Sequence, residues 1–574
     1  RYNNGEKAMT VNHYDLSGIQ PTKERFNEIL VNSPPPVIAV DVETISLKER
    51  MPLGFGIATS PNEAWYFKTY PEVEPEIELV LPLLRNPNIK KVFHNAPFDL
   101  RTFPLIADID ISNIADTNIM ARLLGHTITQ LSLLYFIHGK TTTPASKMLK
   151  GGKTMLDIPS SEVAMHCMED CIATYSLYNK LIPKLIEEGL LDYYNIEMKV
   201  IPILIEMSLR GIRINKQDRD KIEDTLTREV EFYKDYCLNE LPSHLRFNPS
   251  SNQQTAFVLS SRGNFLPFTK GSRKAGARKN LSVNAEVLEE LSDPLADLII
   301  NFRKANKLLN TYIVPLRGKD RAYTEYNFDS SVGRINSSNF NLQNIPGKDS
   351  VKKSGSVNIR YIYMPDNLVF TNGDFSQEHL RILAYLSGDR QMRRVYEEGE
   401  FDGDIHAKTA REVNTSRQVA KTLNYAIPYG ATAETINQQG KFHDVRKAQM
   451  LLTRWFKTYP EAANWLNDAQ RYGMTHGWSL PTLFGRKIKL PFEGDNRAAK
   501  ESMSRKSVNY PILGSDGEVI KRALIICKDK KLPLALTVHD SIMCDGDIEF
   551  PIDELEHITP FRLPFEVKKI LRWE

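Results

Sequence analysis

Six acidic residues stand out by type and spacing. Asp41 and Glu43 flank one valine directly after the apolar run Val37-Ile-Ala-Val40. In a strand, residues i and i+2 face the same side, so both carboxylates leave one strand end together. Paired carboxylates are costly unless cations neutralise them. Asp99, in His94-Asn-Ala-Pro-Phe-Asp99, and Asp170, within the helical stretch Ser161 to Tyr175, supply two more. Carboxylates from separate elements can hold two divalent metals about 4 Å apart, activating water and stabilising a leaving oxygen. His166 lies one helical turn before Asp170, where an imidazole could orient the attacking water. Asp374 closes the run Leu368-Val-Phe-Thr-Asn-Gly, and Asp540 closes Leu534-Ala-Leu-Thr-Val-His. One aspartate at each of two strand ends is what a second metal pair needs, here to activate a hydroxyl and hold a triphosphate.

Between the last two aspartates runs Arg417-x3-Lys421-x3-Tyr425-x3-Tyr429. A spacing of four places these side chains on one slowly drifting helix face. Two cations one turn apart repel unless they meet an anion such as a triphosphate, and a base can stack on the aromatics that continue the stripe. Pro428 should kink or end that helix.

The elements that must position these groups are legible at coarse grain. Strands and helices alternate from about residue 36 to 190, the pattern of an α/β domain. Residues 190–245 read as helical, with Ile201, Ile205 and Leu209 on one face, and Val287 to Leu316 reads as a further helix. Residues 320–365 are strand-like and loop-rich, 400–500 mostly helical, and the end returns to strands at Leu534–Val538 and Phe561–Val567, the latter an edge strand because of Pro564. Residues 1–35 read as a loose leader.

The chain has 574 residues, 41% apolar and 25% charged. This excludes a disordered or fibrous chain and suggests about three to five domains. No apolar run approaches the roughly 18 residues that span a bilayer. Five cysteines cannot form a disulfide framework, and the odd count fits a reducing compartment. Cys167 and Cys171 lack the second pair that a zinc site needs. Net charge is only +3, but the stretch Arg262 to Lys279 holds six cations and no acid, suited to a phosphate backbone.

Residues 36–190 resemble a DEDD-type 3′–5′ exonuclease, the proofreading domain of many DNA polymerases. Asp41 and Glu43 match its first motif, Asn95, Phe98 and Asp99 its second, and Asp170 its third. His166 stands where one subclass has tyrosine. Residues 36–574 as a whole resemble family A DNA polymerases, of phage or organellar type. Asp374-Phe-Ser-Gln377-Glu-His379-Leu-Arg381 looks like motif A, Arg417 to Gly430 like the nucleotide-gripping fingers helix, and Val538-His539-Asp540 like motif C. Asp404-Ile-His406 matches a nucleotide-contacting segment. Gly333 to Pro346 matches a duplex-tracking segment with Arg334, Asn341, Gln343 and Asn344, and Arg505-x3-Asn509 a template- and primer-contacting helix.

The resemblance implies an RNase H-like exonuclease domain followed by a right-hand polymerase. The expected divisions are a leader at 1–35, exonuclease at 36–190, thumb at 191–318, first part of the palm at 319–398, fingers at 399–500 and second part of the palm at 501–574. The basic stretch would be the thumb tip. It implies DNA-templated extension of a primer 3′-hydroxyl with dNTPs, and two Mg²⁺ per site with Mn²⁺ able to substitute. Asp374 and Asp540 would hold one pair, and Asp41, Glu43, Asp99 and Asp170 the other. Arg417, Lys421, Tyr425, Tyr429, His406, His379 and Gln377 would meet the nucleotide. Arg334, Asn341, Gln343, Asn344, Arg505, Asn509 and His539 would meet DNA. Primer–template DNA and dNTPs are the expected partners, with a processivity factor of unspecified kind, a monomeric chain and no membrane. The expected location is a phage host's cytoplasm or an organelle.

The departures are specific. The family has glutamate where His379 stands, a residue that helps exclude the ribose 2′-hydroxyl. A rotatable imidazole should exclude it less firmly. Ser541 and Leu513 replace a glutamate and a glutamine common in the family. A nuclease with a DNA clamp, a structural binder and a single-subunit RNA polymerase are the rival readings. Asp374, Asp540, Arg417 and Lys421 argue against the first, the two carboxylate sets against the second and the nuclease domain against the third.

Overall fold

The computed structural model describes residues 12–15, 34–46, 50–73, 77–126, 153–269, 280–347, 357–440, 444–494 and 496–573, with a few isolated positions between. The expected thumb-tip cations Lys270 to Lys279 lie outside these residues.

The N-terminal part is a six-stranded mixed sheet. Its centre is the hairpin of Val37–Thr44 with Pro52–Ser60, because both strands are buried and apolar. Lys90–Phe93 and Ile114–Asp116 extend it in parallel on one side, and Glu63–Lys68 extends it antiparallel on the other. The edge strand Asn12–Asp15 pairs in parallel with Glu63–Tyr66. The expected leader therefore includes a strand. Its polar composition carries no apolar alternation to announce it. The helix Ser160–Glu187, longer than the stretch read from sequence, lays Cys167, Cys171, Leu177 and Leu181 on this sheet.

Helix Leu191–Arg210 bridges to the rest of the chain. Tyr194, Ile201 and Ile205 face the first core, while Val200, Leu204 and Met207 face a second. Leu209 shares the Ile201–Ile205 face but is 45% exposed, since the helix ends at Arg210. Helix Lys216–Asn239 then packs against Pro294–Lys307. The apolar stretch from 287 is not one helix. Asp293 caps a new start at Pro294, which separates it from Ala285–Glu289.

The second core lies under a four-stranded antiparallel sheet in the order Leu534–Val538, Ser541–Asp545, Phe370–Phe375, Phe565–Ile570. Phe565–Ile570 starts just after Pro564 and occupies the edge. Helices Glu378–Ser387 and Arg390–Glu397 leave this sheet and pack with Ile405–Val413, Arg417–Ala426 and Val445–Thr458 around Trp455. The helical unit thus begins before the division expected at 398. The helix Arg497–Asp529 runs through the one expected at 500, because its apolar face serves several cores in turn.

Candidate functional site

The structure gathers the first four carboxylates. Asp41 and Glu43 sit inside the strand Val37–Thr44 rather than beyond its end, since the strand continues to Thr44. Asp99, on helix Ala96–Thr102, accepts the Val42 backbone N–H at 3.1 Å. Asp170 and His166 come from the helix Ser160–Glu187, with His166 Nδ1 3.0 Å from Glu43 Oε1 and 3.7 Å from Asp170 Oδ2. Burial and the Glu43 carboxylate push Asp41 up to about 7. Burial and Asp41 raise both Asp99 and Asp170 well above the usual carboxylate range. Burial alone would lower His166, yet Glu43, Asp170 and Asp41 bring it to about 9. One imidazolium cannot neutralise four clustered carboxylates. The surplus negative charge fits divalent cations bound by Asp41, Glu43, Asp99 and Asp170.

Sequence reasoning missed Cys167 here. Its Sγ lies 3.6 Å from Asp41 Oδ2 and belongs to a group with Asp41 and Glu43 whose ligand atoms fall within 4.8 Å. Read as one half of a zinc pair, it lacked the strand that brings the carboxylates to it.

The second constellation forms on the four-stranded sheet. Asp374 is one residue inside the end of Phe370–Phe375 and pairs in register with Ser541 on one side and Glu566 on the other. Asp540 occupies the turn after Leu534–Val538, and its carbonyl accepts the Phe375 N–H at 3.3 Å. His539 beside it has φ 56°. Burial and the Asp540 carboxylate push Asp374 up to about 7, and burial and Asp516 raise Asp540. These crowded carboxylates again fit bound cations. Gly373 is required by a close approach, because a Cβ there would lie 2.1 Å from the Phe565 ring.

The basic–aromatic stripe forms the helix Arg417–Ala426, and Pro428 turns it into the short 3₁₀ segment Ile427–Tyr429. Lys421, Tyr425 and Tyr429, with Arg505, line a cavity of about 890 Å³. Arg417 stands outside that wall and pairs with Asp404 at 2.7 Å. His406 is buried beside Tyr425, its Nδ1 3.0 Å from Asn424 Nδ2, and burial lowers it to about 4. Gln377 bridges Tyr396 Oη and the Gly403 carbonyl at 3.3 Å each.

His379 is not the free ring that the sequence suggested. Tyr429 Oη lies 2.6 Å from its Nδ1, while Arg334 Nη2 and Asp516 Oδ1 lie 2.9 and 3.2 Å from its Nε2. Arg334 also donates to Asp516. Beside this group Glu378 is buried, neither carboxylate oxygen has a hydrogen-bond partner, and burial with Asp516 and Asp540 raises it well above its ordinary range. Among the expected DNA contacts, Asn341 caps its own turn by accepting the Asn344 N–H at 3.1 Å, and Gln343 donates to the Thr537 carbonyl. The Asn344 carbonyl accepts from Tyr312 Oη at 3.0 Å. Asn509 Oδ1 is buried without a partner.

A family model described as DNA polymerase family A matches residues 217–560, well over half the chain. The chain belongs to DNA polymerase family A. A 3′–5′ exonuclease model matches residues 19–186, so this family A chain carries an exonuclease domain ahead of its polymerase domain. It is 30% identical over 565 residues to DNA polymerase I of Chloroflexus aurantiacus, covering 91% of this chain and 58% of that protein. It is 28% identical over 432 residues to the thermostable DNA polymerase I of Thermus filiformis, covering 70% and 50%. The family A chain thus matches only about half to three-fifths of the length of these relatives. In fold it is similar to the polymerase domain of Pol1 from M. smegmatis, solved with DNA primer–template and dNTP. The TM-score is 0.76, identity 20%, and coverage 93% and 95%.

Proposed function

We propose that this chain is a DNA-templated DNA polymerase that extends a primer 3′-hydroxyl with dNTPs and removes 3′-terminal nucleotides at a separate exonuclease site. The carrying observation is a pair of carboxylate clusters on two sheets, of which the Asp374–Asp540 cluster is close enough to Tyr425, in the cavity wall shared with Lys421 and Tyr429, to help raise its hydroxyl. The M. smegmatis Pol1 domain that is similar in fold was solved with primer–template and dNTP, and the same ligands suit this reading.

In this reading the four-stranded sheet is the palm, the unit around Trp455 the fingers, and the paired helices Lys216–Asn239 and Pro294–Lys307 the thumb. Lys421 and Arg417 hold phosphates, and Tyr425 and Tyr429 pack on the sugar and base. For Arg417 this requires exchanging Asp404 for the triphosphate, a stronger multivalent anion. Arg334, Arg505, Asn509 and His539 face the primer–template. Asn341, Gln343 and Asn344 shape the loop that follows it. Asp374 and Asp540 hold one cation pair and Asp41, Glu43, Asp99 and Asp170 the other, Mg²⁺ by preference with Mn²⁺ able to substitute. Such ions supply charge neutralisation for the attacking and leaving oxygens. His166, paired with Glu43, orients the nuclease site. We place the enzyme, as a monomer, in a reducing compartment of a phage host or organelle. Five buried free cysteines support the reducing conditions. Among the described residues no helix is long and apolar enough to cross a membrane.

The test is extension of a primed template with dNTPs and Mg²⁺. Template-directed products are expected, and extension only with ribonucleotides would overturn the reading.

A further inference from the structure

His379, Asp516, Arg334 and Tyr429 come from four separate elements. His379 is on helix Glu378–Ser387, Asp516 in the middle of Arg497–Asp529, Arg334 ahead of strand Asn336–Ser338, and Tyr429 in the turn Ile427–Tyr429. Tertiary packing alone brings them together. Both ring nitrogens of His379 are engaged, Nδ1 by Tyr429 Oη at 2.6 Å and Nε2 by Arg334 Nη2, which donates to it at 2.9 Å, while Arg334 is in turn held by Asp516, whose Oδ1 lies 3.2 Å from Nε2 without a hydrogen bond. Asp516 is 1% exposed, so it cannot itself meet a nucleotide. Burial would raise its carboxyl, but His379 and Arg334 hold it down at about 2.

The place of the ring matters. A nucleotide with phosphates toward Lys421 and Asp374, and base toward Tyr429, has its ribose between them. His379 packs edge-on at 6.0 Å to Tyr429 of the cavity wall, and its ring partly offsets the burial that raises Asp540. We infer that Asp516 is a positioning residue for sugar selection: by holding Arg334 against Nε2 it fixes His379, so that His379 with Asp516 and Arg334 does here what the family's single glutamate does. The inference rests on the polymerase reading above. A ring tied at both nitrogens cannot swing aside for a 2′-hydroxyl. It also offers that hydroxyl no free donor or acceptor, so the hydroxyl is left unpaired in a closed site. This reverses the expectation of a loose gate. It also predicts that His379→Glu alone is harmful, because it sets a second carboxylate against Asp516.

The experiment is single-turnover insertion of paired deoxy- and ribonucleotides on a primer whose terminal phosphorothioate linkage resists degradation. Asp516→Ala should lower the deoxy-to-ribo ratio of kcat/KM by about tenfold. The gain should appear as a lower KM for the ribonucleotide. Asp516→Asn, which keeps the shape, should give a smaller loss and serves if the alanine variant does not fold. His379→Glu should also lose selectivity. Joined with Asp516→Ala, it should return to within about threefold of wild type, a rescue that a purely structural role would not produce. Unaltered selection in folded Asp516→Ala or Asp516→Asn, or a double variant no better than its worse parent, would overturn the inference. A wild-type protein that inserts neither nucleotide would instead overturn the polymerase reading.

Discussion

At the scale of single residues, burial decides protonation. His94 is tied between Thr117 Oγ1 at 2.8 Å and the Thr129 carbonyl at 2.7 Å, and burial lowers it to about 4. The unfolded chain, titrating near 6.5, binds a proton that the folded histidine refuses. Its contribution is therefore intact above about pH 6.5, is lost as pH falls from there, and the loss is complete below about 4. At pH 5 the cost is up to about 2 kcal/mol. Urea unfolding at pH 7.5 and 5 should show a smaller drop in His94→Gln than in wild type, and equal drops would refute it. The sequence exposed the residues that carry a local signature: Asp41 and Glu43 by their alternation, Asp374 and Asp540 by their strands, Lys421 to Tyr429 by their spacing. It hid Asp516, Cys167 and Glu566. Asp516 lies in an unremarkable helical pattern, and its partner is on a distant segment. Glu566 gains meaning only from its register with Asp374.

At the scale of elements, the strand Phe370–Phe375 fixes where Asp374 points. It is held between two antiparallel neighbours, and Gly373 admits the Phe565 ring from one of them. Gly373→Ala overfills that contact and should cost about 1–3 kcal/mol of stability. Because Asp374 is the next residue, extension should fall more than 3′ degradation does. Thermal melting with both assays checks this, and equal loss of the two activities would contradict it. The strand Ser541–Asp545, central in this sheet, escaped the sequence reading because it follows Leu534–Val538 after the two-residue turn His539–Asp540 and is only five residues long. The edge strand Asn12–Asp15 escaped for want of apolar alternation. By contrast the helix end at Pro428 was legible, since proline acts on its own neighbours.

At the scale of the whole molecule, buried ion pairs tie the bridging helix Leu191–Arg210, which also packs on the nuclease core, to the polymerase half. Lys521 on helix Arg497–Asp529 pairs with Glu197 on helix Leu191–Arg210, both nearly inaccessible. Arg486 pairs with Glu518 at 2.8 Å and covers the Tyr193 ring at 4.3 Å. Removing one member leaves a buried charge alone. Lys521→Ala should cost about 3–5 kcal/mol, whereas Lys521→Met with Glu197→Leu should cost far less. Calorimetry of both variants decides, and a harmless Lys521→Ala would show that the pair is wet and weak. This docking fixes the two sites relative to each other, but neither borrows a carboxylate from the other.

That independence is the central claim, and paired assays of two variants on one labelled primer–template test it most directly. Asp374→Asn removes a carboxylate from the cluster on the four-stranded sheet only, so extension should fall by roughly a thousandfold or more while 3′ degradation continues. Asp41→Ala with Glu43→Ala should do the reverse, ending degradation while extension of a matched primer proceeds. If either folded variant loses both activities together, the two clusters are not separate active sites and the account is wrong.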